Sequence, residues 1–359
     1  MNIMKNKNIK NFIFIFLLLF VNFSLYRFMS PHTESVAIAT CQWDCAWYMG
    51  IAKNGYSEHA ITEGGEKLGQ ANWAFFPAYP VLVKIFSYVT HFTYHTSGLI
   101  LNYALWPLLI LLCLKNLALK KLQPKTMWFI VLATLYPLNI WYFSQYSEPL
   151  YGVLLLSSII FLKENKITLA ALTCCAMSLA RPTGFVMAIG LALWWFCHNK
   201  NRNSMRYSLL LVAAGGLGLS LFVLYLSEKV GDGFAFAHVQ IAWGREFKIF
   251  PLHIIDNLYV HQHLTATYIA LAAIILSCAM VIYGWRLEGF LVALTLVLAC
   301  STGVKSIGRL IFANPLTIEF LVYLAASTGK TYRYVLFFLL VCLHVTVIYF
   351  WLHGLKILA

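Results

Sequence analysis

One acid stands alone in an aromatic stretch. Asp44 lies in Gln42-Trp43-Asp44-Cys45-Ala46-Trp47-Tyr48, just after the first long apolar run. A carboxylate in that setting can take the proton of an acceptor hydroxyl as a general base. Trp43 and Tyr48 flank it as candidate substrate contacts. A plainer role is open at the same residue. Asp44 could cap a short helix over 45–53 that ends at Gly55, with Trp47, Tyr48, Ile51 and Ala52 on one face lying on a membrane. The two roles are compatible.

Other charged residues extend the chemistry. Glu148 precedes Pro149 at the end of an apolar run. It suits a sugar-hydroxyl or metal ligand, or an interfacial residue bonded to Tyr142, Tyr146 and Tyr151. Arg181 precedes Pro182 at an expected helix break. An arginine there needs an anion: a donor phosphate, Glu148 or Asp232. Arg245, Lys305 and Arg309 are further cations. Lys305 and Arg309 are four apart and would share a face if helical. Guanidinium suits bidentate phosphate contact, and lipid headgroups are the alternative anions.

The elements that must hold these residues belong to a bilayer. The chain has 359 residues, 61% hydrophobic and only 11% charged. Soluble domains sit near 45–50% apolar and about 25% charged. An all-α polytopic membrane protein follows, as a single multi-pass domain over 1–359. Apolar runs at 11–29, 98–114, 126–143, 149–162, 167–180, 184–197, 207–227, 265–284, 287–302, 311–327 and 333–353 predict about 11 spans, several shorter than the roughly 20 residues of a full helical crossing. The run at 11–29 reads as a retained anchor rather than a cleaved signal. The stretch 81–86 is too short to span and reads as an interfacial helix.

The net charge of +13 follows the positive-inside rule and does not call for nucleic acid. Lys5, Lys7, Lys10, Lys115, Lys120, Lys121, Lys125, Lys163, Lys166, Lys200, Arg202, Arg206, Arg286, Lys330 and Arg333 fall on one side. Glu34, Asp44, Glu58, Glu63, Glu66, Glu148, Glu228, Asp232, Glu246 and Asp256 fall on the other. Two long loops, 30–97 and 228–264, share the acidic side. That arrangement predicts an active site facing the periplasm or exterior, and the lysine- and asparagine-rich N-terminus hints at a bacterial inner membrane. No GxGxxG or GxxxxGK[ST] is present, so no nucleotide sugar is expected.

Cys41 and Cys45 flank Asp44 at C-x3-C spacing, neither a zinc nor a thioredoxin pattern. A bridge is open to them in an oxidising compartment. Two unbridged small residues are expected.

Taken together, the motifs resemble the PIG-V family of mannosyltransferases. Trp43-Asp44, Trp47-Tyr48, Ile51-Ala52, Gly55-Tyr56, Phe75-Phe76-Pro77 and Tyr79-Pro80 carry the first part of the likeness. Ser147-Glu148-Pro149-Leu150, Ala180-Arg181-Pro182-Thr183-Gly184, and Asp232 with Phe234-Ala235-Phe236, His238, Gln240 and Trp243-Gly244-Arg245 continue it. Ser306, Arg309 and Pro315 end it. Where the family often has His before Tyr, this chain has Trp47. The resemblance implies a GT-C bundle and inverting transfer from a polyprenyl-phosphate sugar, with Asp44 as base. It also brings His238 and Asp232 in as substrate contacts.

The expected activity is transfer of a sugar, mannose, to a glycan or glycolipid acceptor. No cofactor is required, and a divalent cation is an open addition. A flippase of lipid-linked sugar and a non-catalytic membrane subunit are the alternatives.

Overall fold

In the computed structural model the described residues are 2–63, 65–199 and 203–355, without the side chains of 2–10 and Glu66. Lys200 and Arg202 therefore lie outside the described residues, as do the side chains of Lys5, Lys7 and Lys10. No strand occurs among the described residues. The helices are α1 (Asn2–Met29), α2 (Val36–Ala39), α3 (Cys45–Asn54), α4 (Ala78–Thr90), α5 (Tyr94–Leu119), α6 (Thr126–Thr134), α7 (Glu148–Lys163) and α8 (Ile167–Ala180). They continue as α9 (Thr183–His198), α10 (Ser204–Val230), α11 (Ala235–His238), α12 (Leu252–Tyr259), α13 (Leu264–Ile282), α14 (Arg286–Cys300), α15 (Pro315–Ser327) and α16 (Lys330–Leu352).

Every apolar run is helical in whole or in part. Five helices are long and apolar enough to cross a membrane: Asn11–Met29 within α1, α5, α10, α13 and α16. The chain is a multi-pass membrane protein. α4, α8, α9 and α15 are apolar but shorter, and α8 and α9 pack with α7, α10 and α14. Their outer-facing leucines, such as Leu172 and Leu193, stay exposed as lipid would require.

The run 126–143 is not one span. α6 stops at Thr134, and Pro137 opens a 3-10 turn over Pro137–Tyr142. Proline pushes the preceding residue out of the helical region, and Tyr136 is extended, with φ −60° and ψ 122°. The Asn139 amide then donates to the carbonyls of Ala133 and Thr134, closing the end of α6. The 81–86 stretch does belong to a helix, α4.

The α8–α9 junction obeys the same rule. Arg181 is extended, with φ −158° and ψ 150°, ahead of Pro182. The two helices then fold so closely that a Cβ on Gly184 would lie 2.2 Å from the Met177 carbonyl oxygen. Only glycine fits there. This short break fixes where the Arg181 side chain emerges.

Candidate active site

Asp44 is placed by a tight local fold. Cys41 and Cys45 are joined in a disulfide with Cα atoms 5.1 Å apart, which corrects the expectation of two unbridged residues. Between them Trp43 takes a left-handed backbone, φ 47°, and its ring meets Trp351 edge-on at 4.7 Å. The Asp44 backbone N–H donates to the Tyr146 hydroxyl at 3.1 Å. That hydroxyl in turn donates to the Gln42 carbonyl at 2.7 Å.

α3 forms where expected, with Gly55 (φ 78°) past its end. Asp44 occupies the capping position but makes no side-chain capping bond. The carboxylate is turned away from the helix and is bound elsewhere. A second expectation also fails. The face carrying Tyr48, Ile51 and Ala52 is buried in protein, with Trp47 half-buried. Tyr48 packs edge-on against Phe75 and Tyr79 and shares a hydrogen bond of 2.9 Å with Ser147 Oγ. It supports the site from behind.

Glu148 arrives from a buried polar loop, residues 144–147. Asn102 donates to the carbonyls of Ser144 and Tyr146, and Gln145 donates to those of Ala37 and His95. Buried backbone needs such partners, and with them the loop becomes a fixed platform. It presents the Tyr146 ring on one side and Glu148, at the start of α7, on the other.

Arg309 joins the two acids. It lies in a π-helical turn over Gly308–Phe312, which the 3-10 segment ties down: Tyr136 donates to the Phe312 carbonyl at 2.9 Å and Tyr142 to that of Ala313 at 2.6 Å. Arg309 Nη1 donates to Asp44 Oδ2 at 2.5 Å, and Nε donates to Glu148 Oε1. Its guanidinium carbon sits 4.6 Å from the Tyr146 ring centre. Arg181 Nη1 reaches the same Glu148 oxygen at 3.2 Å. Glu148, not Asp232, is thus the side-chain partner of Arg181. Glu148 is 3% exposed and Asp44 32%. Glu148 is therefore a buried counter-ion, whereas Asp44 can meet a substrate. The second Glu148 oxygen is buried with no hydrogen-bond partner among the described residues.

The 228–264 loop folds onto this centre. Trp243 meets Trp47 edge-on at 6.0 Å, and Arg245 Nη2 donates to Ser306 Oγ at 2.9 Å. Burial draws the Arg245 guanidinium below its ordinary pKa, and Asp44 opposes the shift. Arg245, Lys305 and Ser306 line a cavity of about 210 Å³ with Trp243, His253 and His263. Arg181, Glu148 and Arg309 border a separate void of about 10 Å³. Lys305 and Arg309 do not share a helical face, because the π turn begins between them. Leu310 borders both spaces.

Asp232 and His238 are placed apart. They pair with each other at 2.7 Å, and both are exposed. The hydrogen bond from His238 draws the Asp232 carboxyl below its ordinary pKa. Neither lines the cavity beside Arg245. No group of three His, Cys, Asp or Glu suited to a metal occurs among the described residues. Arg309 itself stands between the two carboxylates. Sequence alone gives Ser306 no role beyond its motif position, and the platform built by Gln145 is a finding of the structure. The polar run Ser144-Gln145-Tyr146-Ser147 between two apolar stretches is the one sequence signal for it.

No family model matches the chain, and no curated protein matches it. Among solved structures, the chain is similar to the arabinofuranosyltransferase AftD from Mycobacteria, determined by single-particle cryo-EM. Identity is 16% and the TM-score 0.48, over 95% of this chain and 27% of that one. The chain thus spans about a quarter of that protein's length.

Proposed function

We propose that this protein is a membrane glycosyltransferase of GT-C type. It moves mannose from a polyprenyl-phosphate carrier to a hydroxyl of a glycan or glycolipid acceptor. The reaction takes place on the membrane face that carries residues 30–97 and 228–264. The carrying observation is the Arg309 bridge between half-exposed Asp44 and buried Glu148, beside a cavity walled by Arg245 and Lys305.

The chemistry runs as a single inverting displacement. The acceptor oxygen attacks the anomeric carbon as the bond from that carbon to the phosphate oxygen breaks. The acceptor proton goes to Asp44, and the bond pair leaves with polyprenyl phosphate. Arg245 and Arg309 stabilise the charge growing on that phosphate, and Lys305 adds to the field. In this arrangement Arg309 occupies one oxygen of the Asp44 carboxylate. A donor phosphate competes for the guanidinium and releases the carboxylate as substrate binds. A divalent cation would compete with Arg309 for the same two carboxylates.

The test is donor choice. Purified protein should use polyprenyl-phospho-mannose and ignore GDP-mannose. Transfer from GDP-mannose alone, in membranes without polyprenyl-phospho-mannose synthase, would overturn the reading.

A carrier of lipid-linked sugar is the second reading. Fully buried Glu319 in α15 favours it, since acids inside a membrane often mark ion paths. Net translocation without sugar transfer would decide for it.

A further inference from the structure

At the end of the bundle opposite Asp44 lies a second built space, a cavity of about 620 Å³. Lys120, Lys163, Arg286 and Glu288 are its charged lining residues, with Trp194, Trp195 and Trp285 among its walls. The three cations face one lining carboxylate.

The lysines are held by a network that starts deep in the bundle. Fully buried Glu319 accepts both oxygens' hydrogen bonds from the Asn116 amide, at 3.0 and 2.9 Å. The Asn116 carbonyl oxygen accepts from Lys163 at 2.8 Å. Glu288, 2% exposed, pairs with Lys163 at 3.1 Å and Lys120 at 2.7 Å. Lys120 also sits 3.3 Å from the Trp285 ring centre. These contacts link α5, α7, α14 and α15 and pin two ammonium groups at the cavity wall.

Two features are left over. Arg286 has no ion-pair partner among the described residues, and the buried indole N–H of Trp195 has no acceptor among them. Asn165, Asn199 and Tyr283 add neutral polar groups to the wall, and three of its four charged groups are cations. A donor-rich space between membrane helices, rimmed by tryptophans, selects an anionic group carried on an amphiphile.

We propose that this cavity binds the phosphate of a bilayer lipid. Arg286, Lys120 and Lys163 are the phosphate ligands, and Trp194 and Trp285 flank the headgroup. The site is independent of the transfer reaction and lies on the other membrane face.

Native mass spectrometry of detergent-purified protein tests it, with phosphatidylglycerol, phosphatidylcholine or polyprenyl phosphate added. Wild type should retain one phosphatidylglycerol more tightly than phosphatidylcholine. Arg286→Gln touches none of the buried network and should weaken that retention roughly fivefold. Asp44→Asn should leave it unchanged, which separates this site from the catalytic one. If polyprenyl phosphate displaces phosphatidylglycerol, and Arg286→Gln weakens it too, the carrier lipid is the source of the phosphate. If phosphatidylglycerol prevails, a bilayer phospholipid is. Equal retention of phosphatidylglycerol and phosphatidylcholine, or unchanged retention by Arg286→Gln, would overturn the proposal.

Discussion

Arg309 Nη1 lies 2.5 Å from Asp44 Oδ2, across 265 residues of chain. One guanidinium thus ties the acid of the 30–97 loop to the segment before α15. It also ties both to the buried Glu148. Three distant parts of the sequence become one charged centre, and removal of the guanidinium should be felt at all three.

Arg309→Gln should therefore cost both folding and function. It leaves Glu148, 3% exposed, with Arg181 alone. Breaking a buried pair costs on the order of 3–5 kcal/mol. Arg309→Lys keeps the charge but cannot reach both carboxylates in the planar fork geometry. The lysine variant should stay folded, with the donor KM raised by roughly 10-fold. Thermal unfolding and donor titration in detergent check the two effects. A fully active, normally stable Arg309→Gln protein would remove the bridge from the account.

The α8–α9 junction makes a purely steric prediction. Gly184→Ala places a methyl 2.2 Å from the Met177 carbonyl oxygen, and backbone cannot yield cheaply there. The loss in stability should be about 1–3 kcal/mol or more. Because Arg181 emerges at that break, donor affinity should fall as well. Gly216→Ala in α10, whose Cβ would meet only Phe185 at 3.7 Å, is the control and should be nearly neutral.

The Cys41–Cys45 disulfide makes the side of the membrane on which Asp44 lies testable. Disulfides persist in oxidising compartments, so the 30–97 loop should face away from the cytoplasm. Intact-mass measurement should find these two cysteines bridged and Cys113 and Cys174 reduced. An impermeant thiol reagent should reach a cysteine placed at Glu63 and miss one placed at Lys120. The opposite labelling pattern would invert the topology.

Much of the fold was open to sequence reading because its punctuation is chemical. α8 falls on its expected bounds, since an apolar run ends at Arg181-Pro182. The end of α3 follows from Gly55, whereas the capping role read for Asp44 is not used. The split of 126–143 was also signalled, by Pro137, and a smooth apolar run hid it. The buried face of α3 could not be read, because an apolar stripe does not say whether lipid or protein covers it. The Arg309 bridge and the α5–α14–α15 network depend on contacts hundreds of residues apart. Local spacing has no term for them. The disulfide was hidden for a simpler reason, since C-x3-C around an acid matches no common pattern and small residues there need no bond.

The central claim is that Asp44 takes the acceptor proton. Asp44→Asn keeps the size of the side chain and can still accept one hydrogen bond from Arg309. Because the Asp44 side chain makes no capping bond, α3 should be unaffected. Single-turnover transfer from polyprenyl-phospho-mannose, measured beside donor affinity and thermal stability, is the most direct test. With Asp44 as the base, the variant should be folded, bind donor normally and turn over about 10²–10⁴ more slowly. A folded Asp44→Asn protein with wild-type turnover would contradict it.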